Sequence, residues 1–384
     1  MRTIYFDSAA TTYEKPHRVY LETDKAFRKY SANSGRGSHT LSLLASKKIF
    51  ECRESLAKMF TALPENVIFT FNTTYALNMA IKGVAKTGDH FLISNLEHNS
   101  VLRPVHRLAN DKIIKYDVFD TYLDGLATPD AVIKKIKDKI LPETRTLVCT
   151  HTSNICSFSP PIYEIGKQCR ERGITFIVDA AQGGGHTPID MQRNNIDVLC
   201  LPAHKGLYGP QGVGIMILGG RVKPKTLLEG GSGINSLIPE MPDEPPERFE
   251  AGTLPCQTIC GLLSGVEFVQ EYGYHQILKK EAFLYDRLYS GLSHCKRIKI
   301  YDPRHRGSIF LFNILGIPSS TVGDMLSEKG FCVRAGYHCA ALAHKTLNTD
   351  ADGCSGAVRV SFSIFNTADE VDALIKEIIK IVDK

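Results

Sequence analysis

The chain has 384 residues, of which 43% are hydrophobic and 23% are charged, and its formal net charge at pH 7 is +5. These values are ordinary for a folded globular protein and exclude wholesale disorder; at about 100–200 residues per domain they predict roughly two domains. The small positive charge comes without a dense run of lysine and arginine, so we expect no nucleic-acid partner.

Eleven cysteines occur without a Cys-x-x-Cys pair, which argues against a zinc site and against a secreted disulfide framework. Reduced thiols are typical of the cytoplasm. The first residues lack the apolar segment of a signal peptide, and the apolar runs are far shorter than the roughly 20 residues that span a bilayer. We therefore expect a cytoplasmic protein with no metal site and no membrane association.

Short apolar runs alternate with amphipathic stretches over the first part of the chain. The predicted strands are Val67–Phe71, His90–Ser94, Thr146–His151, Ile174–Asp179, Asp197–Leu201 and Val213–Leu218. Such nearly continuous apolar runs are typical of a parallel sheet covered by helices on both faces. One helix is predicted over Thr74–Lys86, and Ser159 before Pro160 is typical of a helix N-cap followed by a first-turn proline. The alternation predicts a doubly wound α/β domain.

The amino-acid composition changes at residues 228–255, which are rich in Gly, Pro and Glu. This composition predicts a long loop. Further elements follow it: a helical stretch over Thr258–His294, strands over Ile309–Ile314, Phe331–Arg334 and Ala357–Ser363, a helix from Thr321, and a last helix that starts with the capping box Thr367–Glu370. We therefore expect a large domain over residues 13–261 and a smaller C-terminal α/β domain over residues 262–384. Residues 1–12 are expected to pack near the smaller one.

Asp179 and Lys205 follow two successive predicted strands. In an open α/β sheet, ligands bind beyond the carboxyl ends of the strands, so these two side chains can serve one ligand. A pyridoxal 5'-phosphate site needs such a pair, because a lysine attaches the cofactor and a carboxylate keeps its ring nitrogen protonated. The alternative for each residue alone is an Asp that caps a turn and a Lys exposed on a loop.

Two further motifs could contact anions. Asn72, Thr73 and Thr74 come at the start of a predicted helix, where hydroxyls and free amides can bind a phosphate, although plain N-capping would use the same residue types. Arg359 lies inside an apolar strand and needs an anionic partner there. That partner is either a substrate carboxylate or an internal Asp or Glu.

Cys339 lies on a turn of small residues after a short strand, with His338 beside it and Arg334 nearby. Cationic neighbours lower the pKa of a thiol, and the thiolate is the nucleophile, so Cys339 is a candidate catalytic group. The alternative is a buried, inert cysteine. His98 and His151 both follow predicted strands, where a lone histidine more often has a structural role.

In this order and over nearly the whole length, the motifs resemble those of class V, fold-type I pyridoxal-phosphate enzymes. The resemblance is to cysteine desulfurases and selenocysteine lyases of the SufS-like group. The motifs that carry it are Tyr5-Phe-Asp-Ser-Ala-Ala-Thr-Thr12, Asn72-Thr-Thr, Glu97-His98, His151-Thr-Ser-Asn154, Val178-Asp-Ala-Ala-Gln182, His204-Lys205, Arg248-Phe-Glu-Ala-Gly-Thr253, Arg334-Ala-Gly-Tyr-His-Cys339 and Arg359-Val-Ser-Phe.

The resemblance implies a role for each matching residue. Lys205 would attach the cofactor and later carry a proton, and Asp179 would pair with the ring nitrogen. Gln182 would reach the ring hydroxyl, and His98 would stack on the ring. The expected phosphate contacts are Thr73, Thr74, His204 and, from the second subunit of a homodimer, Thr253. Asn154 and Arg359 would take the substrate carboxylate, and Asn154 would also contact the cofactor. Cys339 would attack the substrate sulfur.

The resemblance thus implies a cysteine desulfurase, which converts L-cysteine to L-alanine and passes the sulfur through a Cys339 persulfide to an acceptor protein. The alternatives are a selenocysteine lyase acting on L-selenocysteine, another class V reaction such as transamination, or a catalytically silent binding protein of the same fold. Cys339 argues against a plain transaminase, and the intact pair of Asp179 and Lys205 argues against a silent protein.

Two positions depart from the group's pattern: Pro202 replaces a serine, and Tyr337 replaces a histidine.

Overall fold

The computed structural model describes residues 3–35, 37–121 and 128–383, and all elements below refer to these. The strands are β1 Ile4–Tyr5, β2 Val67–Thr70, β3 Asp89–Ser94, β4 Ile114–Phe119, β5 Thr144–Thr150, β6 Thr175–Asp179, β7 Val198–Pro202, β8 Gly214–Leu218, β9 Ile298–Tyr301, β10 Ile309–Ile314, β11 Phe331–Cys332, β12 Arg334–Gly336 and β13 Ala357–Ser361. The α-helices are α1 His17–Lys29, α2 Thr40–Phe60, α3 Thr73–Val84, α4 Asn99–Asn110, α5 Pro129–Lys137, α6 Ile162–Glu171, α7 Cys256–Tyr272, α8 Tyr274–Leu292, α9 Ser319–Glu328, α10 Ala341–Leu347 and α11 Ala368–Val382.

A seven-stranded sheet in the order β2-β8-β7-β6-β5-β3-β4 forms the centre of the molecule. It contains all six strands predicted before residue 220, and it is parallel except for β8, which runs antiparallel to both neighbours. The sequence pattern missed β4. This edge strand exposes alternate residues and therefore has no continuous apolar run.

Helices cover both faces of this sheet, as predicted. Successive residues of β5 point to opposite faces, so Leu147 packs in one apolar cluster and Val148 in another. The first cluster includes Leu56 of α2 and Val266 of α7, and the second includes Leu77 of α3. The large sheet is therefore a buried layer between two layers of helices.

A four-stranded antiparallel sheet, in the order β12-β13-β10-β9, follows in the C-terminal part. Helices α8, α9 and α11 pack on it in a separate cluster. The capping box of α11 is present as predicted, with Thr367 and Glu370 each accepting from the other's backbone amide. The predicted N-cap of α6 is wrong. That helix begins at Ile162 after Pro161, and Ser159 instead bonds the hydroxyl of Thr152.

The N-terminal segment lies against the C-terminal sheet region. β1 pairs in parallel with β11, and Phe6 is buried in the same cluster as α8 and α11. Residue 262 lies inside α7, a helix that packs on α1 and α2 beside the large sheet. We therefore propose that the division between the two domains lies at Gly273, between α7 and α8, rather than at residue 262. Residues 1, 2, 36, 122–127 and 384 of the expected domains lie outside the described residues.

No helix within the described residues is both long and apolar enough to cross a membrane. In the same part of the chain, no group of three or more His, Cys, Asp or Glu side chains is placed to hold a metal ion.

Candidate active site

A cavity of about 210 Å³ lies at the carboxyl ends of the central parallel strands. Its lining contains most of the candidate residues. They are Ala10, Asn72, Thr73, Thr74, His98, Ser100, Thr150, Thr152, Asn154, Asp179, Ala181, Gln182, His204 and Lys205. Of the residues assigned a role, only Thr253, Arg359 and Cys339 lie outside this lining.

Asp179 is the last residue of β6, and Lys205 lies in the turn after β7. These strands are adjacent and parallel, so both side chains leave the sheet at the same edge. The turn from β7 to β8 is too short for a helical crossover and reverses the chain, which makes β8 antiparallel. Burial raises the pKa of Asp179 and lowers the pKa of Lys205 to about 8, because each charge is poorly solvated there.

The N-terminus of α3 opens into the cavity. The Asn72 side chain accepts from the Tyr75 amide at 2.9 Å, so the helix has an N-cap, as the structural alternative predicted. The amides of Thr73 and Thr74 have no hydrogen-bond partner among the described residues. Two free amides at the positive end of a helix dipole are suited to bind a phosphate. The cap therefore leaves these two amides free for an anion.

His204 faces the same end of the cavity and bonds the Thr11 hydroxyl through Nδ1 at 3.0 Å. Burial and the neighbouring Lys205 lower the pKa of His204 to about 4, so this imidazole is neutral at pH 7. It can therefore donate one hydrogen bond to an anion, but it brings no charge.

His98 is the N-cap of α4, and its Nδ1 accepts from the Ser100 amide at 3.0 Å. Burial lowers the pKa of His98 to about 4. The neutral ring therefore carries its hydrogen on Nε2. On another wall, the Gln182 amide donates to the carbonyl of Ala9 at 2.9 Å. The His98 ring and the Gln182 amide are thus held at fixed orientations before any ligand binds.

Arg359 lies on β13 with an internal acid, Asp7, as its partner. One guanidinium nitrogen bonds Asp7 at 2.8 Å, and another donates to the carbonyl of Asn154 at 2.7 Å. Asp7 also pairs with Arg334 at 3.0 Å. Of the two alternatives raised by the sequence, the internal carboxylate is therefore present. The Arg359 Nε is buried, and its N–H has no hydrogen-bond partner among the described residues.

Cys339 is the exposed member of the eleven cysteines, all of which are free. It lies in a turn where His338 and Cys339 both have positive φ values, 51° and 54°. Asn154 donates to the carbonyl of His338 at 2.9 Å, and the Asn99 amide donates to that of Cys339 at 2.7 Å. The backbone of the Cys339 turn is therefore tied to residues on the rim and wall of the cavity.

His338 does not supply the cationic neighbour that the sequence suggested for Cys339. Its Nε2 donates to the carbonyl of Arg334 at 3.2 Å, and its Nδ1 accepts from His344 at 2.9 Å. His344 in turn accepts from the Thr349 hydroxyl at 2.7 Å. A proton on Nδ1 of His338 would face the hydrogen on Nε2 of His344, and burial lowers the pKa of both imidazoles. Arg334 is then the remaining cation of the expected pair.

Sequence reasoning missed the roles of two residues. His344 has a structural role, but nothing in its local sequence pattern indicates His338 as its partner. Glu97 was quoted only as part of a motif, yet its carboxyl is fully buried between Ser94 and the Thr150 amide. Burial raises the pKa of Glu97 to about 8, so this group is largely protonated at pH 7.

Thr253 lies away from the Lys205 cavity. It lines a larger cavity of about 520 Å³ together with Arg53, Glu250 and Gly252. Within one chain it therefore cannot contact a ligand near Lys205. The expected phosphate contact would have to come from a second subunit.

Comparison with known proteins places this architecture in a family. Residues 4–374 match the aminotransferase class-V family. A protein of Pyrococcus abyssi named probable cysteine desulfurase is 33% identical, over 98% of this chain and 94% of its own length. One of Methanothermobacter thermautotrophicus with the same name is 32% identical, over 97% and 92%.

Solved structures agree with this match. The apo structure of a cysteine desulfurase from Thermococcus onnurineus NA1 superposes with a TM-score of 0.89 at 31% identity, covering 99% of this chain and 95% of that one. The family match spans nearly the whole chain, and full-length relatives exceed 30% identity. The chain therefore belongs to the aminotransferase class-V family, within its cysteine desulfurase group.

Proposed function

We propose that this chain is a pyridoxal-phosphate-dependent cysteine desulfurase of the SufS-like group that converts L-cysteine to L-alanine. The observation that carries the proposal is the convergence of Lys205, Asp179 and the Cys339 turn on one site. Lys205 and Asp179 alone would support many reactions of the cofactor. An exposed cysteine beside the same cavity favours sulfur removal among them.

The residues present fit pyridoxal phosphate. The free amides of Thr73 and Thr74 with His204 would hold the phosphate, and Asp179 would hold the ring nitrogen. The Lys205 amine has no hydrogen-bond partner among the described residues, and its lowered pKa makes the neutral, nucleophilic form accessible. When bound, the cofactor supplies a sink for the electron pair released at the substrate α-carbon.

Lys205 would also move the proton. Its Nζ would take the proton from the substrate α-carbon, because a half-buried amine with a pKa of about 8 changes protonation near neutral pH. Asn154 would orient the substrate carboxylate, with the spare Nε–H of Arg359 as a second donor. His98, neutral and fixed by Ser100, would pack on the cofactor ring rather than titrate.

Cys339 would remove the sulfur. As a thiolate it would attack the substrate sulfur, so that a new S–S bond forms while the substrate's Cβ–S bond breaks. The electron pair of the broken bond stays with the substrate fragment, which becomes alanine after protonation. The terminal sulfur then sits on Cys339 as a persulfide, ready for a thiol of an acceptor protein.

We also propose a homodimer in the cytoplasm. Thr253 lies outside its own chain's Lys205 cavity, which supports delivery of its hydroxyl to the site of a second copy. Eleven free cysteines support a reducing compartment. Light scattering combined with an activity assay tests the dimer, since a fully active monomer would contradict it.

The first experiment compares the wild type with Cys339→Ala, using Cys295→Ala as the control for loss of a thiol elsewhere. Each protein is loaded with pyridoxal phosphate, and its visible absorbance is checked before L-cysteine or L-selenocysteine is added. We expect alanine and, with a reductant, sulfide from the wild type and from Cys295→Ala. Cys339→Ala should bind the cofactor and make no alanine from cysteine.

Turnover of selenocysteine alone, with or without Cys339, would replace this proposal with a selenocysteine lyase. Cofactor binding without alanine from either substrate would contradict the mechanism.

A further inference from the structure

A second depression adjoins the Lys205 cavity and contains Cys339. This groove, which we call the Cys339 groove, has a volume of about 440 Å³. It is lined by Thr74, Asn78, Lys82, His98, Asn99, Ser100, Arg103, Pro104, Arg107 and Cys339. Thr74, His98 and Ser100 also line the cavity, so the groove is continuous with the site.

The charged side chains that line the Cys339 groove are all basic. Lys82, Arg103 and Arg107 line it, and no carboxylate does. Arg103 and Arg107 are four residues apart on α4 and therefore share one face of that helix. Arg107 is neutralised by Asp111 at 2.7 Å, whereas Lys82 and Arg103 have no ion pair among the described residues. Two exposed, unpaired cations therefore flank the route to Cys339.

Transfer of sulfur away from Cys339 requires that an acceptor thiol enter the Cys339 groove. An acceptor thiolate attacks the terminal sulfur of the Cys339 persulfide, the S–S bond on Cys339 breaks, and the persulfide forms on the acceptor. The electron pair of the broken bond returns to the Cys339 sulfur, which takes up a proton, so no outside oxidant or reductant is needed. Whatever carries that thiol must reach Cys339 beside Lys82 and Arg103.

We propose that the Cys339 groove docks an acidic segment of an acceptor protein, next to the cysteine that receives the sulfur. This inference rests on the proposed function. A groove of this volume fits a few residues of peptide, and carboxylates there would face two unpaired cations. A nucleic acid is the less favoured occupant, because its affinity depends on many phosphate contacts along a longer basic track.

The cations of the Cys339 groove should act mainly on the rate at which the acceptor associates. Exposed ion pairs are weak, but complementary charge around a docking site speeds encounter and loses its effect in salt. We therefore expect an acidic probe to bind and react about fivefold better than an uncharged one at low ionic strength, and the difference to disappear at high ionic strength.

The test uses the full-length protein loaded with cofactor and three fluorescent peptides of equal length. Each has one central cysteine, flanked by Asp and Glu, by Ser and Gly, or by Lys. Anisotropy reports binding of versions with serine in place of the cysteine, so this measurement does not depend on turnover. Sulfur transfer to the cysteine versions is then followed with L-cysteine as the sulfur source.

The double variant Lys82→Glu with Arg103→Glu should remove or invert the preference for the acidic peptide. Lys134→Glu with Lys135→Glu, which reverses two exposed charges on α5, is the matched control and should keep this preference. Equal binding of all three peptides, or an unchanged preference in the double variant, would overturn the proposal. So would a single-stranded RNA oligonucleotide that displaces the acidic peptide better than an unlabelled acidic peptide of equal charge.

The two proposals fail in different ways. Absence of alanine with dithiothreitol as the acceptor would overturn the desulfurase function, while charge-selective peptide binding would still support the groove. Alanine with dithiothreitol but no charge preference among peptides would overturn the docking proposal alone.

Discussion

The buried carboxyl of Glu97 has no cationic partner among the described residues. Its Oε1 accepts from Ser94 and from the Thr150 amide, and its Oε2 is buried without a partner among the described residues. The protonated acid is therefore the form that the fold prefers. For a carboxyl whose pKa is raised on folding, stability is present at low pH and is lost as pH rises toward that pKa.

Glu97→Gln keeps the carbonyl acceptor and removes this titration. Each unit of pKa difference corresponds to about 1.4 kcal/mol, so we expect the variant to gain roughly 3 kcal/mol over the wild type between about pH 5 and about pH 8. Urea unfolding across that range measures the difference. Glu328→Gln, at an exposed position of α9, is the control, and a pH-independent difference for Glu97→Gln would contradict a buried acid.

His344 holds the Cys339 turn through His338. His344→Phe leaves Nδ1 of His338 and the Thr349 hydroxyl without their partners, at a cost of about 1–3 kcal/mol for each buried group. We expect faster amide hydrogen exchange over residues 334–349, partly restored by His344→Gln, whose amide can still donate.

His275→Phe, which replaces an exposed imidazole on α8, should leave this exchange unchanged. If His344→Phe exchanges like the wild type, then the histidine chain does not support the turn.

At the scale of elements, α3 and α11 have N-caps of the same kind in different settings. Asn72 caps α3 at the cavity, and Thr367 caps α11 away from it. Either change to alanine should cost about 1 kcal/mol of unfolding free energy. Only Asn72→Ala should also weaken binding of pyridoxal phosphate, because it loosens the turn that presents the free amides. Titration of both apo variants with the cofactor measures this, and equal affinities would contradict a phosphate site at α3.

At the scale of the whole molecule, Asp7 connects the N-terminal segment to the C-terminal sheet. It pairs with Arg359 and Arg334, and Arg359 is only 2% exposed. Asp7→Ala should cost about 3–5 kcal/mol, because it leaves a buried guanidinium without its carboxylate. Asp286→Ala removes an exposed pair with Arg306 and should cost less than about 1 kcal/mol. Equal thermal and urea stability of these two variants would contradict a stabilising role for the ion pairs of Asp7.

The sequence by itself determined the large sheet and the lining of the cavity. The central strands are apolar runs. Asp179 ends one of them, and Lys205 lies in the turn after the next, so the order of residues along the chain predicts both side chains at one edge of the sheet. The edge strand β4 was not predictable in this way, because its solvent-facing residues are polar. The antiparallel direction of β8 followed from the short turn before it, which the apolar pattern does not encode.

Only the tertiary structure decided which groups meet across the chain. Asp7 and Arg359 are 352 residues apart. The apolar strand around Arg359 predicts that its charge needs an anionic partner, but it does not indicate which residue that partner is. The neutral pair of His338 and His344, the buried acid of Glu97 and the basic groove beside Cys339 also depend on burial and on contacts between elements. Local patterns set which segments form strands and helices, whereas the protonation and partners of a side chain depend on the solvent and charges that folding brings around it.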